Sequence, residues 1–180
     1  MNKRIDLGHI APDYLLPGID GKNYTLLDFA AYKLLLIIFS CNHCPYVQAY
    51  EERIKKLQND FMKEGLQIVA INANDADKYA EDSFKEMKKR AVEKGFNFIY
   101  LRDESQQTAK TFGAAFTPEL FLFNAERKLI YTGKIDDNWR EPEKVQTKYL
   151  QNAIEEYLRG EEISVPETYA IGCTIKWKAD

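Results

Sequence analysis

Residues 34–44 read LLLIIFSCNHC, a continuous apolar run followed by two cysteines. The run at 34–39 has the length of one strand, and its continuity predicts a strand buried on both faces, as at the centre of a parallel sheet. A helix should follow, because apolar side chains recur at three- and four-residue steps from Val47 to Phe61. The Cys-x-x-Cys sequence therefore lies where a central strand gives way to a long helix.

Downstream of this junction, strand-like runs alternate with helical spacings. Such alternation indicates an α/β fold. The last two strands are joined by a short polar turn and form a hairpin, so we expect a mixed central sheet flanked by helices. After the strand at 34–39 and the helix that follows it, the predicted strands are 66–71, 96–101, 119–123 and 128–132. The predicted helices are 77–94, 105–112 and 143–158.

The length of 180 residues, 45% of them hydrophobic, suits one compact domain. Residues 1–31 contain two short extended pieces around a Pro-Gly turn and are predicted to form an N-terminal hairpin extension packed on the domain. Residues 32–160 are predicted to form the domain itself. Residues 161–180 form a tail without clear periodicity.

Charge and hydropathy exclude several classes of partner. The formal net charge is −3, and the 29% of charged residues mix both signs, which disfavours binding to nucleic acid or to an anionic membrane. No apolar run approaches the ~20 residues of a membrane-spanning helix. The first residues show no secretory signal, so we expect a cytoplasmic protein.

The three cysteines indicate a reactive role rather than structural disulfide bonds. Two of them form a close pair, the third has no partner, and the chain is large enough to fold without disulfides. A helix N-terminus favours a thiolate, the species that attacks disulfides. Cys41 is expected to stand nearer the helix start and to be the more acidic and exposed thiol, so it is predicted to attack and Cys44 to resolve the mixed disulfide. Two other interpretations stay open: half of a zinc site whose second half is missing, and two buried structural thiols.

The Cys-x-x-Cys sequence after an apolar strand, together with Thr117-Pro118 just before a later strand, resembles the thioredoxin superfamily. Within it, the chain is similar to the redoxin branch, which contains the alkyl hydroperoxide reductase/thiol-specific antioxidant superfamily and related thiol–disulfide oxidoreductases. The segments that carry this similarity are 11–22, 112–123 and 130–137.

The resemblance implies a thioredoxin-like fold and a thiol–disulfide oxidoreductase that acts on protein dithiols and disulfides. Electrons would come from another dithiol, with no metal and no organic cofactor. Pro118 would be cis and pack against the sulfurs, leaving the backbone of Thr117 to pair with an extended substrate peptide in a groove. Judged from its residues alone, Pro118 can also be an ordinary trans proline at a strand edge.

Three further residues are candidates. His43, with Asn42, is predicted to tune the redox pair, because a positive charge near the thiolate favours the reduced state; strongly oxidising relatives in the superfamily also carry histidine there. The alternative is an exposed histidine with little effect. Cys173 is either a third redox thiol or a small buried apolar residue.

Two alternative functions remain. A thiol-dependent peroxidase, an antioxidant enzyme, would use Cys41, but peroxiredoxins carry a proline seven positions and a Thr or Ser three positions before the attacking cysteine, where this chain has Leu34 and Ile38. Ordinary thioredoxins bury an acidic residue six positions before that cysteine, where this chain has Leu35. A redox-inactive binding module is disfavoured by the intact pair of Cys41 and Cys44.

Overall fold

The computed structural model describes residues 3–179; residues 1, 2 and 180, which belong to the predicted extension and tail, lie outside the described residues. In this part of the chain, no helix is long and apolar enough to cross a membrane. The strands are β1 (Leu16–Pro17), β2 (Asn23–Tyr24), β3 (Leu34–Ser40), β4 (Leu66–Asn72), β5 (Ile99–Arg102), β6 (Phe116–Thr117), β7 (Glu119–Phe123), β8 (Leu129–Gly133) and β9 (Cys173–Thr174). The α-helices are α1 (Pro45–Phe61), α2 (Phe84–Lys94), α3 (Gln107–Phe112) and α4 (Tyr149–Leu158).

Five strands form a central sheet in the order β5–β4–β3–β7–β8. Strand β3 runs parallel to β4, which runs parallel to β5. On its other side β3 is antiparallel to β7, and β7 is antiparallel to β8. The prediction of an α/β fold with a mixed central sheet is confirmed, and the antiparallel pair β1–β2 forms the predicted N-terminal hairpin.

Strand β3 is covered on both faces, as its unbroken apolar sequence predicts, and all of its residues are buried. Side chains alternate between the two faces of a strand. The odd-numbered residues 35, 37 and 39 pack in one cluster with Leu16 and Phe112. The even-numbered residues 34, 36 and 38 pack in another cluster with residues of α1 and α4. Because β3 is packed on both faces, it holds the start of the following loop in a fixed position.

Two helices begin later than the sequence predicts. Helix α2 begins at Phe84 instead of near residue 77, because Ser83 is its N-cap and its side chain accepts a hydrogen bond from the Glu86 N–H. Helix α4 begins at Tyr149 instead of at residue 143, since Pro142–Lys144 forms a separate 3₁₀ turn. Before α2, a short 3₁₀ helix, Ala80–Asp82, brings Asp82 to the loop that carries the cysteines.

The C-terminal tail has more structure than its sequence predicts. Strand β9 pairs antiparallel with β6, with Thr117 opposite Cys173. Beyond β9, Ile175 is buried in the core and its N–H donates to the carbonyl of Ala115. The tail therefore returns to the edge of the sheet at the Thr117-Pro118 segment.

Candidate active site

The two cysteines of the Cys-x-x-Cys sequence lie in a loop between β3 and α1. Helix α1 begins at Pro45, and Cys44 is its N-cap residue with an extended backbone. Pro45 suits this first helical position because it lacks the N–H that would be unsatisfied there. The expectation that Cys41 stands nearer the helix start is therefore wrong, since the helix terminus acts on Cys44.

The three cysteines converge although one is distant in sequence, and all are free thiols. Sγ of Cys44 lies 2.9 Å from Sγ of Cys173 and 3.2 Å from the carbonyl oxygen of Thr117. Sγ of Cys41 lies 3.4 Å from Oγ1 of Thr117. The exposed fraction is 2% for Cys41 and 0% for Cys44, whereas Cys173 is partly exposed.

The surroundings shift the pKa values of the three thiols in different directions. The neighbouring Cys41 thiol lowers the pKa of Cys44 against the opposing effect of burial, and the contacts with Cys173 and with the Val47 N–H act in the same direction. The hydrogen bond to Cys44, burial and the nearby charge of Asp82 raise the pKa of Cys41. Burial and the neighbouring Cys44 raise the pKa of Cys173. Among these three thiols the pKa shifts favour ionisation of Cys44, whereas the carbonyl oxygen of Thr117 accepts a hydrogen bond only from the protonated Cys44 thiol.

Asp82 is a fully buried carboxylate under the cysteine loop. It accepts hydrogen bonds from the backbone N–H of Asn42 at 2.6 Å and from Nδ1 of His43 at 2.6 Å. The side-chain amides of Asn72 and Asn74 donate to it at 3.1 and 2.9 Å. These four donors hold the carboxylate in place and tie the loop to the end of β4.

Asn42 is buried, and hydrogen bonds satisfy its side chain. Its Nδ2 donates to the carbonyl of Glu81 at 2.7 Å, and its Oδ1 accepts from the hydroxyl of Tyr100 at 3.0 Å. Nε2 of Gln48 donates to its backbone carbonyl. These contacts hold the loop in position. An effect of Asn42 on the reduction potential of the cysteine pair stays a prediction.

His43 lies between the thiols and solvent. Its ring stacks on Tyr79, with ring centroids 5.2 Å apart and an angle of 6° between the ring planes. Its Nδ1 is bound to Asp82, so a positive charge on the ring would be paired with a buried carboxylate. The predicted influence of His43 on the thiolate must therefore be considered together with Asp82.

The segment around Pro118 forms the other wall of the site. The Thr117-Pro118 peptide bond is cis. Glu119, which is buried, accepts hydrogen bonds from the N–H groups of Ala115 and Phe116, and burial raises its pKa. The backbone edge of Thr117, predicted to bind substrate, is paired with Cys173 of the tail.

Comparison with known proteins identifies the family of the chain. The family model described as Redoxin matches residues 7–149. The chain belongs to the Redoxin family. Its fold is thioredoxin-like, and it lies in the redoxin branch of the thioredoxin superfamily.

Other Redoxin-like proteins resemble the chain at different levels. A solved structure of a conserved protein from Geobacillus kaustophilus is 38% identical, with a TM-score of 0.91, and the match covers 97% of this chain and 94% of that one. The thiol-disulfide oxidoreductase ResA of Bacillus thuringiensis is 22% identical over 87% of this chain and 79% of its own. Peroxiredoxin Bcp of Escherichia coli is 26% identical over 59% of this chain and 63% of its own. The names of the last two describe a thiol-disulfide oxidoreductase and a peroxiredoxin.

One group of side chains at this Redoxin site has the composition of a metal site. One ligand atom each from Cys41, His43 and Asp82 lies within 4.8 Å of the others. Nδ1 of His43 and Asp82 are already hydrogen bonded to each other, which leaves Nε2 of the histidine as its other ligand atom. The prediction that the protein binds no metal stays a prediction.

Sequence reasoning missed Asp82, the acidic residue at this Redoxin site. It stands 41 positions after Cys41, in a polar stretch that sequence periodicity assigns to a helix. The position where thioredoxins carry a buried acid holds Leu35, so a motif comparison gives no sign of it. Asp82 supplies a buried carboxylate from a different element of the fold.

Proposed function

We propose that this protein is a thiol–disulfide oxidoreductase in which Cys44 is the attacking thiolate and Cys41 the resolving thiol. The observation that supports it is the N-cap position of Cys44 at the start of α1, where the neighbouring Cys41 thiol and the Val47 N–H lower the pKa of its thiol. Such donors stabilise a thiolate. Family membership supports the same class of chemistry.

The proposed reaction has two steps. The Cys44 thiolate attacks one sulfur of a substrate disulfide, so that a Cys44–substrate S–S bond forms and the second substrate sulfur leaves as a thiolate and takes up a proton. Cys41 then loses its proton and attacks Sγ of Cys44, forming the Cys41–Cys44 disulfide and releasing the first substrate sulfur. Two electrons reach the substrate, and an external dithiol returns them to the protein.

Cys41 has to lose a proton although its surroundings raise its pKa. A carboxylate oxygen of Asp82 lies within 4.8 Å of the Cys41 Sγ. We assign Asp82 as the group that receives this proton. While the pair is reduced, the negative charge of the same carboxylate disfavours a Cys41 thiolate. Cys44 is then the thiol that attacks the substrate.

The test uses serine variants, a disulfide-bonded model protein as substrate and dithiothreitol as donor. Cys44→Ser should abolish reduction of the substrate. Cys41→Ser combined with Cys173→Ser, which removes the other thiol next to Cys44, should stop after the first step and accumulate a mixed disulfide, which peptide mapping should locate on Cys44. Full activity of Cys44→Ser, or a mixed disulfide trapped on Cys41 in the Cys44→Ser variant, would reverse the proposed roles.

A thiol-dependent peroxidase is the second candidate, because one relative is a peroxiredoxin. With Cys44 as the attacking cysteine, the positions three and seven before it hold Cys41 and Ile37 instead of a hydroxyl residue and a proline. We therefore expect Cys44 to react with hydrogen peroxide no faster than an ordinary acidic thiol. A stopped-flow rate many orders of magnitude above that of a free thiol would establish the peroxidase instead.

A further inference from the structure

The C-terminal tail occupies the edge of the active site where an incoming chain would pair. Strand β9 forms an antiparallel ladder with β6 that places Cys173 opposite Thr117. This register brings Sγ of Cys173 to 2.9 Å from Sγ of Cys44. The tail thus presents a third thiol directly to Cys44.

The tail is held on both sides of this contact. On its N-terminal side, the N–H of Thr168 donates to the carbonyl of Thr132, and Oγ1 of Thr168 accepts from the N–H of Lys134. On its C-terminal side, the carbonyl of Lys176 accepts from the N–H of Asp75 and from Nε2 of Gln106. Anchors on both sides keep Cys173 in contact with the site.

Access to the sulfurs differs among the three cysteines. With the tail in place, Cys44 has no exposed surface and Cys41 has 2%, whereas Cys173 is partly open to solvent. While the tail is docked, a sulfur from outside therefore meets Cys173 before either of the other two thiols, and direct attack by Cys44 on a substrate disulfide requires the tail to move aside.

We propose that Cys173 is the entry point for reducing electrons: the oxidised protein holds a Cys44–Cys173 disulfide, and an external thiolate attacks Sγ of Cys173. This inference rests on the proposed thiol–disulfide exchange at Cys44. It names the sulfur through which a dithiol donor reaches the buried pair.

The proposed step conserves atoms and electrons. One thiolate of an external dithiol attacks Sγ of Cys173, forming a donor–Cys173 S–S bond, and Cys44 leaves as a thiolate. The second donor thiol, once deprotonated, attacks its partner sulfur, closes the donor disulfide and releases Cys173 as a thiolate, which takes up a proton. The donor loses two electrons, and Cys44 with Cys173 gains them.

The hydrogen bonds around Cys44 make it the better leaving group. A disulfide breaks faster when the departing thiol has the lower pKa. The pKa of Cys44 is lowered and that of Cys173 is raised, so attack at the exposed Cys173 releases the more stable thiolate.

Cys41 joins the exchange from the buried side. When Cys41 attacks Sγ of Cys44 in the Cys44–Cys173 disulfide, a Cys41–Cys44 bond forms and Cys173 leaves as a thiol once it takes up a proton. The reverse attack by Cys173 on Cys44 brings the disulfide back to the surface. Cys44 is the sulfur that both steps share.

The first test maps disulfides in two variants oxidised with diamide. Cys41→Ser should form an intramolecular Cys44–Cys173 disulfide, and Cys173→Ser should form Cys41–Cys44. If only the second disulfide appears, this inference is overturned while the proposed function stands. If Cys44 forms no disulfide in either variant, both are overturned.

The second test locates the attacked sulfur. Oxidised Cys41→Ser is treated with glutathione, quenched in acid and mapped by mass spectrometry. The expected product carries glutathione on Cys173 and a free thiol at Cys44. Glutathione on Cys44 would contradict the inference, because it would show that an outside thiol reaches the buried sulfur directly.

A third test moves the tail without altering a thiol. A Cβ on Gly172 would lie 2.2 Å from the carbonyl oxygen of Thr117, a backbone atom with no room to yield. In the Cys41→Ser background, Gly172→Ala should slow formation of the Cys44–Cys173 disulfide by about tenfold or more, because the sulfurs lose their alignment. Thr174→Ala, on the exposed face of the same strand, is the matched control and should leave the rate unchanged. An equal rate in Gly172→Ala would count against a positioned tail.

Discussion

Cys44 differs from the other cysteines in the donors directed at its sulfur. The Cys41 thiol, Cys173 and the Val47 N–H all lower its pKa. Hydrogen bonds to the charged form lower the pKa of an acid. A negative charge among the three adjacent sulfurs is therefore favoured at Cys44.

The pH dependence of alkylation tests this at the residue scale. Because the pKa of Cys44 is lowered, its thiolate persists as the pH falls below 7, and its rate with iodoacetamide should change little between pH 8 and pH 6. An ordinary thiol of pKa about 8.5 slows on the order of fiftyfold over that interval. Mapping of labelled peptides gives the rate for each cysteine, and a steep fall for Cys44 with a flat profile for Cys41 would reverse the assignment.

His43→Ala should make the reduction potential of the protein more negative. The variant removes one hydrogen-bond donor from Asp82 and leaves its negative charge beside the thiols, which disfavours the reduced, thiolate-bearing state. We expect a shift of about 30 mV, which corresponds to ~1.4 kcal/mol for two electrons. Equilibration with dithiothreitol measures it.

The matched control for His43→Ala is Tyr79→Phe, which keeps the ring that stacks on His43. Its potential should equal that of the unmodified protein. An unchanged potential in His43→Ala would mean that the helix terminus and the neighbouring thiols alone set the acidity of Cys44.

At the scale of elements, β3 gives the loop its rigid base. Ile37 is fully buried at the centre of the sheet, between β4 and β7. Ile37→Ala should lower the free energy of unfolding by about 2–5 kcal/mol, because it removes buried methyl groups and leaves a cavity. Chemical denaturation measures the loss.

The control for Ile37→Ala removes aliphatic carbon from a surface element. Val92 on α2 is 83% exposed, so Val92→Ala deletes methyl groups that are already in water. Its stability should change by less than about 0.5 kcal/mol. Equal losses in the two variants would contradict the central, doubly covered position of β3.

At the scale of the whole molecule, the tail closes the site that the sheet and α1 build. Ile175 is buried in the core next to β9, so Ile175→Ala should weaken docking of the tail. We expect alkylation of Cys44 to become about tenfold faster or more, since loss of buried methyl groups favours the undocked tail. Tyr169→Ala, which alters a side chain that is 91% exposed, should leave the rate unchanged. Equal rates in both variants would show that the tail does not cover Cys44.

The sequence determined the elements that depend on neighbouring residues. The apolar run of β3 and the spacing of apolar residues in α1 are local patterns, and they placed Cys41 and Cys44 between a buried strand and a helix. The starts of α2 and α4 were predicted too early, because Ser83 caps the start of α2 and Pro142–Lys144 forms a separate 3₁₀ turn before α4, and periodicity does not register either effect.

Only the tertiary structure decided which cysteine stands at the helix start and what surrounds it. Pro45 fixes the first helical residue, so Cys44 receives the helix terminus. Asp82 and Cys173 reach the site from segments 38 and 129 positions beyond Cys44. The reason is physical: contacts between distant residues depend on how the strands pair and how the tail packs back on the sheet, and no local pattern in the sequence encodes that meeting.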